Sequence, residues 1–212
     1  MPNPTSSKHY DRAYFQRWYH DQTTMGSQIG GPARLARKVG LAVATAEYHL
    51  ERPIRSVLDL GCGEGAWRAP LLKLRPKLHY LGFDSSHYAI ARFGARRNLH
   101  HARFGDFEVL RPCAPVDLLV CSDVLHYLDR RELDRGLSGI AELCAGVAFL
   151  ETFTREDGID GDTHEFKRRL AKFYRQRFED LGLSPLGSHL WLAPALRDGL
   201  AALETLPARS SP

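Results

Sequence analysis

The sequence predicts an α/β domain built on a doubly wound, mostly parallel sheet with helices on both faces. Short runs of apolar and β-branched residues alternate with segments of helical periodicity. A glycine-rich turn directly follows the first of these runs. The 212 residues are 43% hydrophobic and 25% charged, which are ordinary proportions for a globular domain.

The predicted elements follow one another as helix and strand along most of the chain. Strands are predicted over Ser56–Leu60 and residues 78–83, 101–104, 116–121, 146–150 and 190–192. Helices are predicted over residues 35–50, 65–74, 86–97, 129–143, 166–181 and 195–203. Because buried parallel strands form continuous apolar runs, this alternation favours a sheet covered by helices on each side.

Individual residues indicate where several helices begin or end. Ser86 and Asp129 are suited to cap helix N-termini with their side chains. Pro70 lies inside the predicted 65–74 helix and indicates a kink or a late start. Gly182 is suited to end the long helix before it.

The composition argues against several classes of protein. No apolar run approaches the roughly 18 residues of a membrane helix, and the N-terminus shows no apolar signal segment. The four cysteines include no CxxC pair, so we expect free thiols, no bound metal and a cytoplasmic location. The formal net charge of +4 permits an anionic partner without requiring one.

The residues after the first predicted strand carry the strongest chemical signal. Residues 59–65 read DLGCGEG, which places glycine at alternate positions of a strand-to-helix turn. Glycines let a ligand approach the backbone, and a helix N-terminus offers free N–H groups. The spacing differs from the GxGxxG of dinucleotide-binding proteins, and Asp59 suits a cationic or zwitterionic ligand better than a pyrophosphate. A nicotinamide-dependent oxidoreductase is therefore disfavoured.

This turn and the strand ends that follow it resemble class I S-adenosylmethionine-dependent methyltransferases, over residues 30–152. The resemblance implies a seven-stranded type of sheet, with S-adenosyl-L-methionine as cofactor and S-adenosyl-L-homocysteine as product. Within it, Asp84 would bind the ribose hydroxyls and Asp106 the adenine amino group. The cofactor-binding residues that it implies after the strands are Asp59, Gly61, Cys62, Gly63, Asp84, Ser85, Asp106, Phe107 and Ser122.

The resemblance also implies methyl transfer to oxygen or nitrogen of a small-molecule acceptor. Residues 121–128 read CSDVLHYL and follow the fourth predicted strand, where the family lines both cofactor and acceptor. A hydroxyl acceptor needs a base, for which His126 is the first candidate and Asp123 the second. Tyr127, Arg155 and His164 are candidate acceptor contacts.

The two ends of the chain differ from the predicted sheet domain of residues 31–206. The aromatic segment within residues 1–30 predicts a helical lid, with Tyr14 touching the cofactor and Trp18 the acceptor. A closed lid would exclude water from the sulfonium, and its rings would favour the positive charge. Residues 207–212 are predicted to be a disordered tail. Few residues remain for the antiparallel hairpin that usually ends this family, so the last strand is left open.

Several alternatives remain open from the sequence. The acidic residues 156–162 and His164 allow a metal site, but their spacing does not match an EF-hand, and a substrate-facing loop is favoured. The basic residues 167–177 predict a solvated helix face, and nucleic acid is not favoured as a partner. A non-catalytic cofactor-binding module or partner subunit is the main alternative, ahead of an RNA or protein methyltransferase. The chain is expected to be a monomer or a homodimer.

Overall fold

A seven-stranded sheet forms the centre of the structure, a computed structural model that describes residues 8–21, 31–158, 162–201 and 203. The strands are β1 (Ser56–Leu60), β2 (His79–Asp84), β3 (Leu99–His101), β4 (Val116–Ser122), β5 (Cys144–Glu151), β6 (Ser184–Gly187) and β7 (Leu190–Leu192). The α-helices are α1 (Arg12–Phe15), α2 (Gly31–Leu50), α3 (Arg68–Leu74), α4 (His87–Arg97), α5 (Arg130–Leu143) and α6 (Ala171–Asp180). Among the described residues, no helix is both long and apolar enough to cross a membrane.

The strand order places a switch point at the centre of the sheet. The order is β3-β2-β1-β4-β5-β7-β6, with β1 to β5 parallel and β7 antiparallel to both β5 and β6. The connections turn in opposite directions from β1 and β4, so a crevice opens beyond the carboxyl ends of these two strands. The predicted doubly wound, mostly parallel sheet is confirmed, and the family's antiparallel hairpin is present.

Helices cover both faces of the sheet. On one face, Ile140 of α5 and Phe178 of α6 pack against strand residues such as Leu119. On the other face, Val43 of α2 packs in a cluster with Leu118. Because successive strand residues point to opposite faces, the two adjacent leucines of β4 belong to different clusters. The core is therefore two apolar layers separated by the sheet.

The sequence predicted most elements but misplaced several boundaries. The third strand ends at His101, because Phe104–Glu108 forms a 3₁₀ turn instead of continuing it. The helix with Pro70 starts late, at Arg68. The caps predicted at Ser86 and Asp129 are confirmed, since each side chain accepts a backbone N–H bond from the first helical turn.

The C-terminal third departs further from the prediction. The long helix begins at Ala171, not at residue 166, and β6 was not predicted because its sequence SPLG shows no strand pattern. The helix predicted over 195–203 is instead a 3₁₀ segment at Pro194–Gly199. The predicted tail 207–212, and residues 1–7 and 22–30 of the predicted lid, lie outside the described residues.

A glycine in α5 allows this helix to pack closely against the 3₁₀ turn of Phe104–Glu108. A Cβ atom at Gly139 would collide with the carbonyl oxygen of Phe107, which is backbone and cannot rotate away. Gly139→Ala should therefore lower the free energy of unfolding by about 1–3 kcal/mol, the usual cost of overpacking. Gly40→Ala in α2 is the control, because no atom lies within 4 Å of its Cβ position. In urea denaturation that control should be neutral or stabilising, by up to about 1 kcal/mol; equal loss in both variants would contradict the packing argument.

Candidate cofactor and acceptor site

A cavity of about 280 Å³ opens at the carboxyl edge of β1, β2 and β4. It lies at the switch point of the sheet, where ligands of open α/β folds bind. The sequence-predicted residues that line it are Asp59, Gly61, Cys62, Gly63, Asp84, Ser85, Phe107, Ser122, Asp123, Tyr127, Tyr14 and Trp18. Asp106, His126, Arg155 and His164 do not line it.

The glycine-rich turn after β1 has the backbone shape that requires glycine. Gly61 and Gly63 have φ angles of 71° and 55°, in the left-handed region that other residues rarely adopt. The N–H groups of Gly61 and Cys62 both donate to the carbonyl oxygen of Phe83, which holds the turn against the end of β2. A Cβ at Gly61 would collide with the side chain of Val124. The turn therefore presents bare backbone to the cavity.

Asp84 joins this turn to the next strand. Its Oδ2 accepts from Gly63 N at 2.7 Å and its Oδ1 from Ser86 N at 2.8 Å. Burial raises the pKa of the Asp84 carboxyl, while the two N–H bonds oppose that shift. Each oxygen keeps a lone pair, so the carboxylate can still accept hydrogen bonds from a vicinal diol such as a ribose.

Asp59 places a second carboxylate at the base of the cavity. Its side chain is buried and accepts a 2.6 Å hydrogen bond from the hydroxyl of Tyr80. Burial raises the pKa of Asp59 to about 7, and Asp84 adds to the rise. The charged form of a buried carboxylate is stabilised when a cationic ligand group binds beside it.

An ion pair that the sequence did not predict lies beside Asp59. Lys38 Nζ lies 2.5 Å from Glu151 Oε1, and Ser122 donates to Glu151 Oε2 at 2.6 Å. Lys38, Glu151 and Ser122 all line the cavity. Lys38 lies on the apolar stripe of α2 next to Val39, and that position was the signal available in the sequence. The cavity therefore contains a carboxylate, at Asp59, and an ammonium, at Lys38, for the two opposite charges of a zwitterion.

Aromatic side chains line another part of the cavity, at Phe83, Phe104 and Phe107. Phe107 is 1% exposed and meets Phe83 edge to face at a centroid distance of 5.3 Å. Asp106, predicted to bind an adenine amino group, is exposed, and its Oδ2 accepts from Arg103 N at 2.8 Å. The carboxylate caps the 3₁₀ turn of Phe104–Glu108 and does not line the cavity, and the adenine contact of Asp106 stays a prediction.

Asp123 and His126 form a pair at the end of β4, but only Asp123 faces the cavity. His126 is 1% exposed and its Nε2 lies 3.2 Å from Asp123 Oδ1, within ion-pair distance but outside hydrogen-bond geometry. Phe153 N donates to His126 Nδ1 at 3.3 Å, so the proton of a neutral ring lies on Nε2, toward Asp123. Direct contact of His126 with an acceptor, as predicted from the sequence, is not what the structure shows.

The N-terminal residues 8–21 lie across the cavity and are tied to the domain at several points. Ser86 Oγ donates to the carbonyl oxygen of Tyr10 at 2.5 Å, and His20 Nε2 lies 3.1 Å from Glu64 Oε2. Phe15 is 2% exposed, and Tyr19 lies over the glycine turn, with its hydroxyl 2.6 Å from a Cβ position at Gly63. Tyr19 was not among the predicted site residues, although it belongs to the aromatic segment that predicted a lid.

Residues 162–166 reach the far side of the cavity, which Glu165 lines. Lys8 Nζ lies 2.5 Å from Asp162 Oδ2, and Lys8 N donates to Glu165 Oε1 at 3.0 Å. Tyr127 also lines the cavity, and its hydroxyl donates to the carbonyl oxygen of Asp162 at 2.8 Å. Neither Lys8 nor Glu165 was predicted, because both contacts join segments that are far apart in sequence.

Two predicted acceptor contacts are not brought to the cavity. Arg155 is exposed, and its backbone N–H donates to the carbonyl oxygen of Arg169, which turns the segment outward. His164 is also exposed, with its backbone N–H bonded to Asp162 Oδ1. Within the part of the chain that the structure describes, no three His, Cys, Asp or Glu side chains are placed to hold a metal ion together.

Comparison with known proteins agrees with this arrangement. Residues 58–150 match the family described as a methyltransferase domain. The chain is 37% identical over 78 residues to trans-aconitate 2-methyltransferase of Deinococcus radiodurans, which covers 37% of this chain and 30% of that protein. It is 30% identical over 164 residues to trans-aconitate 2-methyltransferase of Methylobacterium nodulans, covering 74% and 55%. The chain therefore spans about half the length of the second relative and less of the first.

A solved structure shares the fold. A SAM-dependent methyltransferase from Archaeoglobus fulgidus superimposes with a TM-score of 0.56 at 17% identity, covering 81% of this chain and 73% of that one. Sheet order, glycine turn and strand-end cavity define the class I methyltransferase fold. Residues 58–150 match the methyltransferase-domain family, and the sheet order is typical of class I S-adenosylmethionine-dependent methyltransferases.

The raised pKa of Asp59 makes stability depend on pH. The native carboxyl binds its proton more tightly than the unfolded one, so the free energy of unfolding should fall as pH rises from about 4 to about 7. Asp59→Asn should remove much of this fall. Urea denaturation at pH 5 and pH 8 measures it, with exposed Asp198→Asn as control. An unchanged pH dependence in Asp59→Asn would contradict the assignment.

Asp84 and Asp106 give a matched pair for cofactor binding. Asp84→Asn keeps the shape of the side chain but loses the charge, and we expect S-adenosylhomocysteine to bind about 10- to 100-fold more weakly, the range of a charged hydrogen bond. Asp106→Asn should change the affinity less than about threefold, because its carboxylate does not line the cavity. Calorimetric titration measures both, and the reverse order of effects would support Asp106 as the adenine contact.

Proposed function

We propose that this protein transfers the methyl group of S-adenosylmethionine to a small-molecule acceptor. The observation that carries the proposal is the single cavity in which the glycine turn, the strand-end carboxylates and Asp123 all meet. The residues that line it have the hydrogen-bonding groups, apolar surface and charges that the parts of the cofactor require. Asp84 can accept from ribose hydroxyls, and the aromatic surface at Phe107 suits an adenine ring. The charges of Asp59 and Lys38 suit the amino-acid part.

The chain's own part in such a reaction is alignment and exclusion of water. When bound, S-adenosylmethionine supplies a methyl group already activated by its sulfonium. The N-terminal residues 8–21 cover the cavity, so we assign to them the role of a lid that keeps water from the reacting atoms. Tyr14 and Trp18 of this segment line the cavity, which supports the contacts expected of a lid.

Asp123 is the group best placed to take a proton from an acceptor. It lines the cavity, its φ of 64° holds its side chain at the end of β4, and its backbone N–H donates to the carbonyl oxygen of Glu151. His126 lies behind it with Nε2 toward the carboxylate. We therefore assign proton transfer to Asp123 and positioning of its carboxylate to His126.

Release of S-adenosylhomocysteine in the presence of acceptors tests the proposed function. Purified protein is incubated with S-adenosylmethionine and a panel of small amines, alcohols and carboxylic acids. The panel includes trans-aconitate, the compound named for the two relatives. Acceptor-dependent release supports the proposal. Tight binding of S-adenosylhomocysteine without release on any acceptor would favour the non-catalytic binding module.

Variants of Asp123 and His126 separate the two assigned roles. Asp123→Asn should lower kcat about 100-fold or more, the usual contribution of a positioned base, with little change in the affinity for S-adenosylhomocysteine. His126→Gln retains an N–H donor and should keep more activity than His126→Leu, which has none.

Steady-state kinetics measure how each variant changes kcat and KM separately, and thermal melts verify that each variant folds. The exposed Asp198→Asn is the control variant. Equal activity of His126→Gln and His126→Leu would remove the positioning role.

A further inference from the structure

At the far side of the cavity, the chain encloses a cation of its own. Lys8 Nζ lies 3.4 Å from the centre of the Tyr127 ring, 5.2 Å from that of Tyr14 and 5.3 Å from that of Tyr10. The Lys8 side chain is 4% exposed, and its Nζ is 2.5 Å from Asp162 Oδ2. We call Tyr10, Tyr14, Tyr127 and Asp162 the tyrosine cage. Several aromatic rings placed around one ammonium form a recognition site for cations.

The surroundings of the cage carry negative charge that one lysine does not balance. Asp162 forms the ion pair, Glu165 Oε1 accepts from Lys8 N at 3.0 Å, and Asp123 adds a third carboxylate that acts on the ammonium. An anion placed here would lie close to three carboxylates, and burial of the Lys8 and Asp162 side chains strengthens that repulsion. The cage therefore selects a positively charged group.

The cage is continuous with the cavity. Tyr10, Tyr14, Tyr127 and Glu165 line the cavity while also enclosing Lys8, which is not itself part of the lining. Withdrawal of the lysine side chain would extend the cavity to Asp162. Residues 8–10 belong to no helix or strand, so this movement breaks no regular structure.

We propose that the tyrosine cage is the acceptor subsite, that it selects a primary or secondary aliphatic amine, and that Lys8 fills it when no acceptor is present. This inference rests on the proposed function, because it names the acceptor class of that same site. It differs from the anionic acceptor in the names of the two relatives.

Methyl transfer to an amine at this position balances with the groups that the cavity supplies. An ammonium must first lose a proton, and burial lowers the pKa of Lys8 in the same surroundings, the direction that favours a neutral amine. Asp123 lines the cavity and can take that proton. The nitrogen lone pair then forms a bond to the methyl carbon as the carbon–sulfur bond breaks and its electron pair stays on sulfur. The products are an N-methylammonium, S-adenosylhomocysteine and one proton.

Replacement of Lys8 by a smaller residue tests the cage with a defined probe. n-Butylammonium has the charge and length of the lysine side chain, while butyrate and n-butanol match its length with a negative or no charge. Calorimetric titration of Lys8→Ala should show n-butylammonium binding at least tenfold more tightly than to wild type. It should also bind at least tenfold more tightly than butyrate or n-butanol bind to the same variant.

Further variants serve as controls for the binding experiment. Lys8→Met fills the space without a charge, so it should not bind the probe, and Lys77→Ala is the exposed control that should behave as wild type. Lys8→Ser replaces Lys8→Ala if the latter does not melt cooperatively. Tyr127→Leu combined with Lys8→Ala should lose the gain. Preference for butyrate, or no binding of n-butylammonium by the opened variant, would overturn the cage as a cation subsite.

A methyl-transfer measurement links the cage to the reaction. With S-adenosylmethionine carrying a labelled methyl group, Lys8→Ala should convert n-butylamine to N-methylbutylamine at least tenfold faster than wild type does. Binding of n-butylammonium without this gain would overturn the acceptor assignment. Binding of S-adenosylhomocysteine is measured in parallel, because its loss counts against the proposed function and not against the cage.

Discussion

The carboxylate of Asp84 holds the two halves of the cofactor site together. It accepts hydrogen bonds from Gly63 N in the turn after β1 and from Ser86 N at the start of α4. The same turn is bonded to the end of β2 through the carbonyl oxygen of Phe83. These bonds fix the glycine turn relative to the end of β2 and the start of α4, while Phe107 is held by its packing against Phe83.

A second set of contacts closes the site from outside the sheet. The N-terminal residues 8–21 reach Ser86, Glu64 and Asp162, which lie on three different segments of the domain. Each contact pairs a polar or charged group that would otherwise be buried alone, so the covering segment and the cavity wall stabilise each other. This coupling explains why aromatic side chains from the N-terminus line a cavity built by strands β1, β2 and β4.

The sequence was informative where function depends on local geometry. The positions after β1, β2 and β4 were predicted because parallel strands bring their carboxyl ends to one edge, and the glycine turn needs residues with left-handed φ angles. β6 was not predicted because Pro185 and Gly187 are residue types that are uncommon in strands. Its extended conformation is recognised from its pairing with β7.

The remaining site residues depend on contacts between distant segments. Two ion pairs join residues more than a hundred positions apart, Lys38 with Glu151 and Lys8 with Asp162. No local sequence pattern predicts such pairs. His126 was predicted as a base because its residue type suits that chemistry, but burial directs it to Asp123 instead of the cavity. The sequence around Asp106 is ambiguous for a related reason, since a Gly-Asp pair fits both a cap, which the structure has, and a ligand contact.

The central claim is that this cavity is shaped for S-adenosylmethionine and not for a dinucleotide. Calorimetric titration of the purified protein with S-adenosylhomocysteine, with NAD as the control ligand, tests it most directly. The account predicts binding of S-adenosylhomocysteine with a dissociation constant on the order of micromolar, about −8 kcal/mol, and no measurable heat with NAD. Binding of NAD, or of neither ligand, would contradict it.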